Sequence, residues 1–412
     1  MKILFIHQNF PGQFKHLAPA LAQRGHQCTA LTLRVKEASN WRGVQILPYS
    51  LPDRGRQNVH PWLVDLDSKV TRGEACFQAA RKLSHKGYSP DLILAHPGWG
   101  ESMFLRDLWP EARIGLYCEL YHHAEWPHLG FDPEFETADT TVQPLRIRLK
   151  NLNNHLHFPT AHAGLSPTQF QADTFPPEFR DNITVIHDGI DTTTSCPDPI
   201  ATLEVEGAGR LSRSDEVITF VNRNLEPYRG YHVFMRALPR LLAERPDARI
   251  LIVGGDGVSY GARPPGKRTW KQIFIDEVRG QIPEPDWNRV HFLGRIPYDK
   301  FTRLLQISRV HVYLTYPFVL SWSLLEAMSC GAAIVASDTT PVREVIDDGK
   351  TGRLVDFFDG AGMVDTVCSL LDDAGARAEL GAAARKKMQA RYDLETICLP
   401  AQLQWVERIM QG

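Results

Sequence analysis

The sequence predicts an α/β chain made of two doubly wound domains in tandem. Three observations lead there. Short apolar runs recur at Lys2–Ile6, Cys28–Leu33, Leu92–Ala95, Ile114–Tyr117, Ala161–Leu165 and Ile183–Ile186. They do not alternate strictly, which is how parallel strands buried on both faces read. A second series follows at Val217–Val221, Ile250–Val253, Val290–Phe292, Val310–Leu314 and Ala332–Ala336. Between the two series, Thr192–Asp215 holds Pro197, Pro199, Gly207 and Gly209 among polar residues, and reads as a connector with one short strand at Leu203–Val205.

Helical periodicity fills the gaps. After the first strand, Pro11 and Gly12 make a turn, and Gln13–Arg24 is periodic up to Gly25. In the second half, helices are expected at Val233–Ala243, Lys271–Arg279, Tyr298–Ser308 and Leu324–Ser329, then from Gly362 to Gln389 and from Leu394 to Met410. The last helix follows an already complete domain. Its apolar positions Ile397, Leu403, Val406 and Ile409 keep a strong period, so it is expected to return to the first domain. The expected division is 1–195, 196–393, and 394–412 packing back. Ligands of such folds bind at the carboxyl ends of the strands.

At 412 residues, with 43% hydrophobic and 23% charged residues, the composition is that of an ordinary globular protein. A net charge of −2 gives no reason to expect nucleic acid as a partner. Seven scattered cysteines without a C-x-x-C pair fit neither a zinc site nor a disulfide framework. The apolar run of MKILFIHQNF is too short for a signal peptide, and no run is long enough to span a bilayer. The expected location is cytoplasmic, with peripheral contact at the inner face of the membrane open. Leu145–Lys150, LRIRLK, is basic and amphipathic; it is either a solvated helix face or a contact for anionic lipid.

The stretch Val312–Val335, VYLTYPFVLSWSLLEAMSCGAAIV, carries the most chemistry. It reads as strand, loop, helix, glycine stop and strand. Ser323 stands three residues before Glu326, the spacing of a capping box, so the helix is expected to begin there and close at Gly331. A helix start at a strand's carboxyl end is an anion site, and Leu320, Ser321, Trp322 and Ser323 would line it. Glu326 either caps its helix or accepts from ligand hydroxyls. In VNRNLEPYRG, Arg223 and Arg229 stand six apart in a strand-to-helix loop, where two planar forks can converge on one anion.

Three further loops are candidates. Asn9–Gln13 follows the first strand, and the backbone N–H groups at this helix start, those of Gly12 and Gln13, could meet an anion. LYCELYHH follows the strand Ile114–Tyr117, and Glu119, His122 and His123 compete for one place at the strand's end, where a carboxylate or imidazole can bind hydroxyls or influence proton transfer. Asp132-Pro133-Glu134, with Trp126 and His128 before it, is expected to form a loop over the cleft. Neither Asn9–Gln13 nor Gly254–Gly257 has the G-x-G-x-x-G spacing of a dinucleotide fold.

Taken together, LLEAMSCGAAIVASD, NRNLEPYRG, VIHDGID, VHFLGRIPYDKF and TPVREVIDDGKTGRLV resemble the retaining family-4 glycosyltransferases of the GT-B fold. The resemblance implies two Rossmann-like domains facing each other across a cleft. It implies a nucleoside diphosphate sugar as donor, a glycan or lipid-linked saccharide as acceptor, and no cofactor or catalytic metal. By the same resemblance Glu326 binds the donor ribose, Arg223 and Arg229 grip the pyrophosphate, and Arg295 and Ile296 lie near the base. The family's first Glu of E-x7-E would hold the donor sugar, but Phe318 stands there. Asp188 replaces the usual Asn of VxxNGxD, a segment read mainly as a turn. The leading expectation is a retaining glycosyltransferase of bacterial surface polysaccharide or glycoconjugate synthesis. A GT-B nucleotide-sugar epimerase and a catalytically silent sugar-nucleotide binding protein are the alternatives.

Overall fold

The computed structural model describes residues 1–53, 58–123, 129–135 and 141–411. Two compact units result: Met1–Leu129 with Thr137–Gly189 and Glu395–Gly412, and Gly130–Glu136 with Ile190–Leu394.

Unit 1 is built on eight strands: β1 (Lys2–Ile6), β2 (Gln27–Thr32), β3 (Ser39–Trp41), β4 (Val44–Pro48), β5 (Leu92–Ala95), β6 (Arg113–Tyr117), β7 (Ala163–Ser166) and β8 (Ile183–Val185). Their order is β3-β4-β2-β1-β5-β6-β7-β8, parallel except for the β3–β4 pair. The continuous apolar run of β1 has a simple cause. Ile3 and Phe5 enter the core on one face, and Leu4 and Ile6 enter the core on the other. Burying each such side chain contributes on the order of 1.5–3 kcal/mol.

Unit 2 begins with an antiparallel hairpin, β9 (Thr202–Val205) and β10 (Gly209–Ser212). The expected connector is therefore a folded part of this unit, and Ala201, Leu203, Val205 and Leu211 are buried in its core. The main sheet has six parallel strands: β11 (Val217–Asn224), β12 (Arg249–Gly255), β13 (Val290–Gly294), β14 (Val310–Tyr313), β15 (Ala333–Ser337) and β16 (Arg353–Val355). Their order is β13-β12-β11-β14-β15-β16.

Each sheet reverses its strand order once, between β1 and β5 in unit 1 and between β11 and β14 in unit 2. At such a reversal the neighbouring loops turn to opposite sides of the sheet and leave a crevice at the strand ends.

The division differs from the sequence expectation in two places. Unit 2 starts at Ile190 rather than at 196, and the short piece Gly130–Glu136 belongs to it. The last helix runs from Leu399 to Gln411, after a π-helical turn at Leu394–Cys398 that leaves Ile397 exposed. Leu403, Trp405, Val406 and Ile409 of that helix lie in the core of unit 1, beside Phe5 and Leu94.

Candidate functional site

In unit 2 the loops after β11 and β14 meet at the strand-order reversal. β11 is irregular between Val221 and Asn224, and Arg223 within that irregular stretch is exposed. Arg229 is 5% exposed. Its Nη1 donates to Thr315 Oγ1 at 2.8 Å and to the Tyr313 hydroxyl at 3.3 Å. Its guanidinium carbon lies 5.0 Å from the ring centre of Tyr260 and 6.0 Å from that of Phe318. All four partners are neutral, and among the described residues no carboxylate forms an ion pair with Arg229. Gly230 follows with φ 66°, and a Cβ there would stand 2.2 Å from Leu314 Cβ. Only glycine lets the helix Tyr231–Glu244 start this close to β14.

The helix Trp322–Ser329 corrects the capping expectation. Its N-cap is Ser321, with extended φ and ψ, and Ser321 Oγ accepts from the Ser323 N–H at 3.3 Å. Ser323 is thus inside the helix, and Glu326 sits too far from the actual N-cap, Ser321, to close a box with it. The carboxylate of Glu326 instead accepts from the Tyr298 hydroxyl at 2.7 Å. Burial, then the nearby Glu326 charge, keeps the Tyr298 phenol protonated well above its ordinary range. The helix closes as expected: Gly331 has φ 71°, its N–H bonds Met328 O, and the Ala332 N–H bonds Ala327 O. Tyr313 links the two parts of the site, because its hydroxyl also accepts from the Ser321 N–H at 3.0 Å.

The remaining residues expected at this site are less engaged. Arg295 is exposed, and its Nη2 donates to Asn224 Oδ1 at 3.1 Å. Ile296 and Trp322 pack at the edge of the core that holds Leu320. Phe318 forms an aromatic group with Tyr228 at 5.5 Å and Tyr260 at 5.0 Å. Sequence reading missed Glu226. It is fully buried and accepts from the N–H groups of Ser259, Tyr260 and Gly261, so it fixes the loop that lays Tyr260 on Arg229.

In unit 1 the reversal between β1 and β5 gathers a second group. His7 follows β1 and His96 follows β5, with ring centres 5.3 Å apart. Trp99 stacks on His96 at 4.4 Å. His7 Nδ1 accepts from the Asn9 N–H, so Nε2 carries the hydrogen and donates to Gln13 Oε1 at 2.8 Å. Gln13 Nε2 in turn donates to Glu119 Oε1 at 3.4 Å. His96 Nδ1 accepts from the Gly98 N–H, which leaves its Nε2–H pointing to Glu119 Oε2 at 3.7 Å, beyond hydrogen-bond length. Burial lowers both histidines, His7 to about 4 and His96 well below its ordinary value, so both rings are neutral near pH 7. Gly12 has φ 48° and packs on the His7 ring, where a Cβ would overlap it.

Of the three rivals after β6, Glu119 is the one in this group. The main chain of His122 is tied to Asn151, and His123 Nε2 bonds the Thr174 carbonyl. Asp188 accepts from the Tyr117 hydroxyl at 3.0 Å and is buried, beside the turn at Gly189. Trp126 and His128 lie outside the described residues.

The Glycosyl transferase family 4 group model matches residues 24–195, and the Glycosyl transferases group 1 model matches residues 207–387. The chain belongs to these glycosyltransferases. A phosphatidyl-myo-inositol mannosyltransferase of Mycolicibacterium smegmatis is 32% identical over 232 residues, 55% of this chain and 52% of that protein. The chain therefore spans about half the length of that relative. A D-inositol 3-phosphate glycosyltransferase of Corynebacterium kroppenstedtii is 25% identical over 358 residues, 84% of this chain and 72% of that protein. Among solved structures, sucrose-phosphate synthase from Thermosynechococcus elongatus superposes with a TM-score of 0.75 at 17% identity, covering 100% of both chains. Anabaena HepE in complex with UDP and glucose gives 0.68 at 16% identity, over 99% of this chain and 100% of that one. These two likenesses show the fold: GT-B, with two Rossmann-like domains.

The Asp132–Glu134 loop is part of unit 2. Asp132 is 4% exposed and accepts from the Tyr316 hydroxyl at 2.8 Å, from His232 Nε2 at 2.9 Å and from the Glu134 N–H at 3.0 Å. Burial raises its pKa, but the His232 and Tyr316 bonds more than offset that, and the carboxyl ends below its usual range. Tyr316 packs on Tyr228 at 4.6 Å, next to Arg229. Asp132, Glu134 and His232 place possible ligand atoms within 4.8 Å of one another. Glu134 is, however, gripped by both Nη atoms of Arg236 at 2.6 and 2.7 Å, so the cluster is a closed polar network.

Proposed function

We propose that this protein is a retaining glycosyltransferase that moves a sugar from a nucleoside diphosphate sugar to a glycan or lipid-linked saccharide. The observation that carries the reading is Arg229: a buried cation with neutral partners, at the strand-order reversal, joined through Tyr313 to the start of the helix that bears Glu326. Such a cation is costly to bury and is matched when a diphosphate arrives. Arg229, with the fork of the exposed Arg223 and the N–H groups at Ser321–Ser323, holds the charge that grows on the leaving phosphate. Glu326, oriented by Tyr298, accepts from the ribose hydroxyls. The acceptor hydroxyl attacks the face that the phosphate leaves, and a phosphate oxygen takes its proton. Side-chain cations supply the electrostatic stabilisation that a metal gives elsewhere. Glu119, Gln13 and the His96 Nε2–H offer acceptors and donors of the kind that sugar hydroxyls need. The names of the mycobacterial and corynebacterial relatives favour an inositol-bearing or lipid-linked acceptor.

The test is transfer from a panel of UDP-, GDP- and ADP-sugars to glycan and lipid-linked acceptors, with the product linkage read by NMR. The expected result is multiple turnover, with nucleoside diphosphate released and the donor's anomeric configuration kept. An inverted linkage contradicts the retaining course. Epimerised sugar with free nucleotide and no acceptor supports the epimerase reading, and binding without turnover supports the silent one.

A further inference from the structure

The helix Gln143–His157 is amphipathic in the reverse sense for a helix packed on a protein core. It buries Asn151, Asn153, Asn154 and His157 together with Ile147. The buried polar groups are matched. Asn151 bonds the main chain of His122, Asn153 Nδ2 donates to Pro97 O at 2.7 Å, and His157 Nε2 meets Ser102 Oγ at 2.8 Å. The leucines point the other way: Leu145 is 39% exposed, Leu152 38% and Leu156 49%, with Leu149 half-buried between them. At about 100° per residue these four fall in a stripe roughly 60° wide, with Arg148 and His155 on one border and Arg146 on the other.

A solvated helix does not need this arrangement. Polar residues at the four leucine positions would serve a water-facing surface equally well, and the asparagines already satisfy the inner face. The helix contains no Asp or Glu among its 15 residues, and Arg146 and Arg148 are both exposed. Beside it runs the helix Val64–His85, whose Lys69 Nζ donates to Lys150 O at 3.4 Å. That neighbour opens with two more exposed apolar side chains, Leu63 at 39% and Val64 at 56%. An apolar stripe bordered by arginines, with no carboxylate on the helix, matches a bilayer whose headgroups are anionic. The leucines enter the acyl boundary while the guanidinium groups stay at phosphate level.

We propose that the Leu145–Leu149–Leu152–Leu156 face of this helix is a docking surface for an anionic membrane. It works without a spanning segment: among the described residues no helix is long and apolar enough to cross a bilayer. The proposal is independent of sugar transfer and concerns a surface of unit 1 alone.

The experiment is co-sedimentation of the full chain with vesicles of phosphatidylcholine, alone or with roughly one-third phosphatidylglycerol, at low and high salt. The variants are Leu152→Ser with Leu156→Ser, and Arg146→Gln with Arg148→Gln. Wild type is expected to pellet with anionic vesicles at least about tenfold more than with neutral ones, and to lose most of that binding at high salt. Each double variant is expected to bind anionic vesicles at least about fivefold less. Both pairs are surface residues, so the melting temperature and the shift given by a nucleotide sugar should stay as in wild type. Those controls separate failure here from failure of the transferase reading. Absence of wild-type binding to anionic vesicles, or binding unchanged in both variants, overturns the proposal. So does a wild-type dimer in light scattering that Leu152→Ser with Leu156→Ser converts to monomer, since a second copy would then own the face.

Discussion

Replacing Arg229 by alanine is expected to lower turnover by about 10²–10³, the range for removing one preorganised donor to a developing oxyanion. The same change removes a guanidinium held by Thr315, Tyr313 and the rings of Tyr260 and Phe318. It leaves a hole between the two loops, so stability should also fall, by roughly 1–3 kcal/mol. Arg223→Ala separates the two effects. Arg223 is exposed. Its loss should reduce turnover about a hundredfold while unfolding in urea stays within about 0.5 kcal/mol of wild type. Arg229→Lys keeps the charge but not the fork, and should recover only part of the activity. Near wild-type turnover in the Arg223→Ala, Arg229→Ala double variant would remove the phosphate clamp from the account.

The largest effect on stability is expected at Asp132. Its carboxylate is the shared acceptor for the Tyr316 hydroxyl, His232 Nε2 and the Glu134 N–H. Asp132→Ala strands two buried donors and one part-buried N–H at once. His232 adds to the cost, because its Nδ1 is already without a partner. At about 1–3 kcal/mol per unmatched donor, with some relaxation, the loss should be about 3–5 kcal/mol in urea unfolding. Asp132→Asn keeps one acceptor oxygen but turns an amide toward donors, so it should cost less, about 1–2 kcal/mol. A loss below about 1 kcal/mol for the alanine variant would show that the loop is only loosely joined to unit 2. Because Tyr316 packs on Tyr228 next to Arg229, the asparagine variant should also raise the donor KM more than it lowers kcat.

The sequence made β1, β2, β5–β8 and β11–β15 legible, because strands buried on two faces need unbroken apolar runs, but it did not show β3, β4 or β16. It also made the Arg229-Gly230 loop legible, since a cation beside a glycine after a strand is a local pattern. What it hid was long-range or a matter of register. His7 and His96 lie far apart in sequence and share no motif. The parallel pairing of β1 with β5 aligns Ile6 with Ala95 and so sets the two rings side by side. Glu226 sits inside the loop that was read for its arginines, and its role depends on the backbone of Ser259–Gly261 folding over it. The cap was missed by two residues because Ser321 and Ser323 both precede Glu326 and only Ser323 has the box spacing. The chain chose Ser321, with its Oγ on the Ser323 N–H, and Tyr298 took the glutamate. The hairpin β9–β10 read as a connector because Gly207 and Gly209 punctuate it, yet both glycines take positive φ at its turn.

The central claim is that the Arg229–Glu326 constellation of unit 2 holds the nucleotide of the donor. The most direct measurement is calorimetric titration of the stabilising nucleoside diphosphate, or its sugar, into wild type and Glu326→Gln. A glutamine keeps the shape and can still receive the Tyr298 hydroxyl, so the melting temperature without ligand should be unchanged. The charge-assisted bonds to the ribose are lost, so affinity should fall by about 1–3 kcal/mol, roughly fivefold to 150-fold. Unchanged affinity together with a lowered melting temperature would contradict the account and leave Glu326 a structural partner of Tyr298.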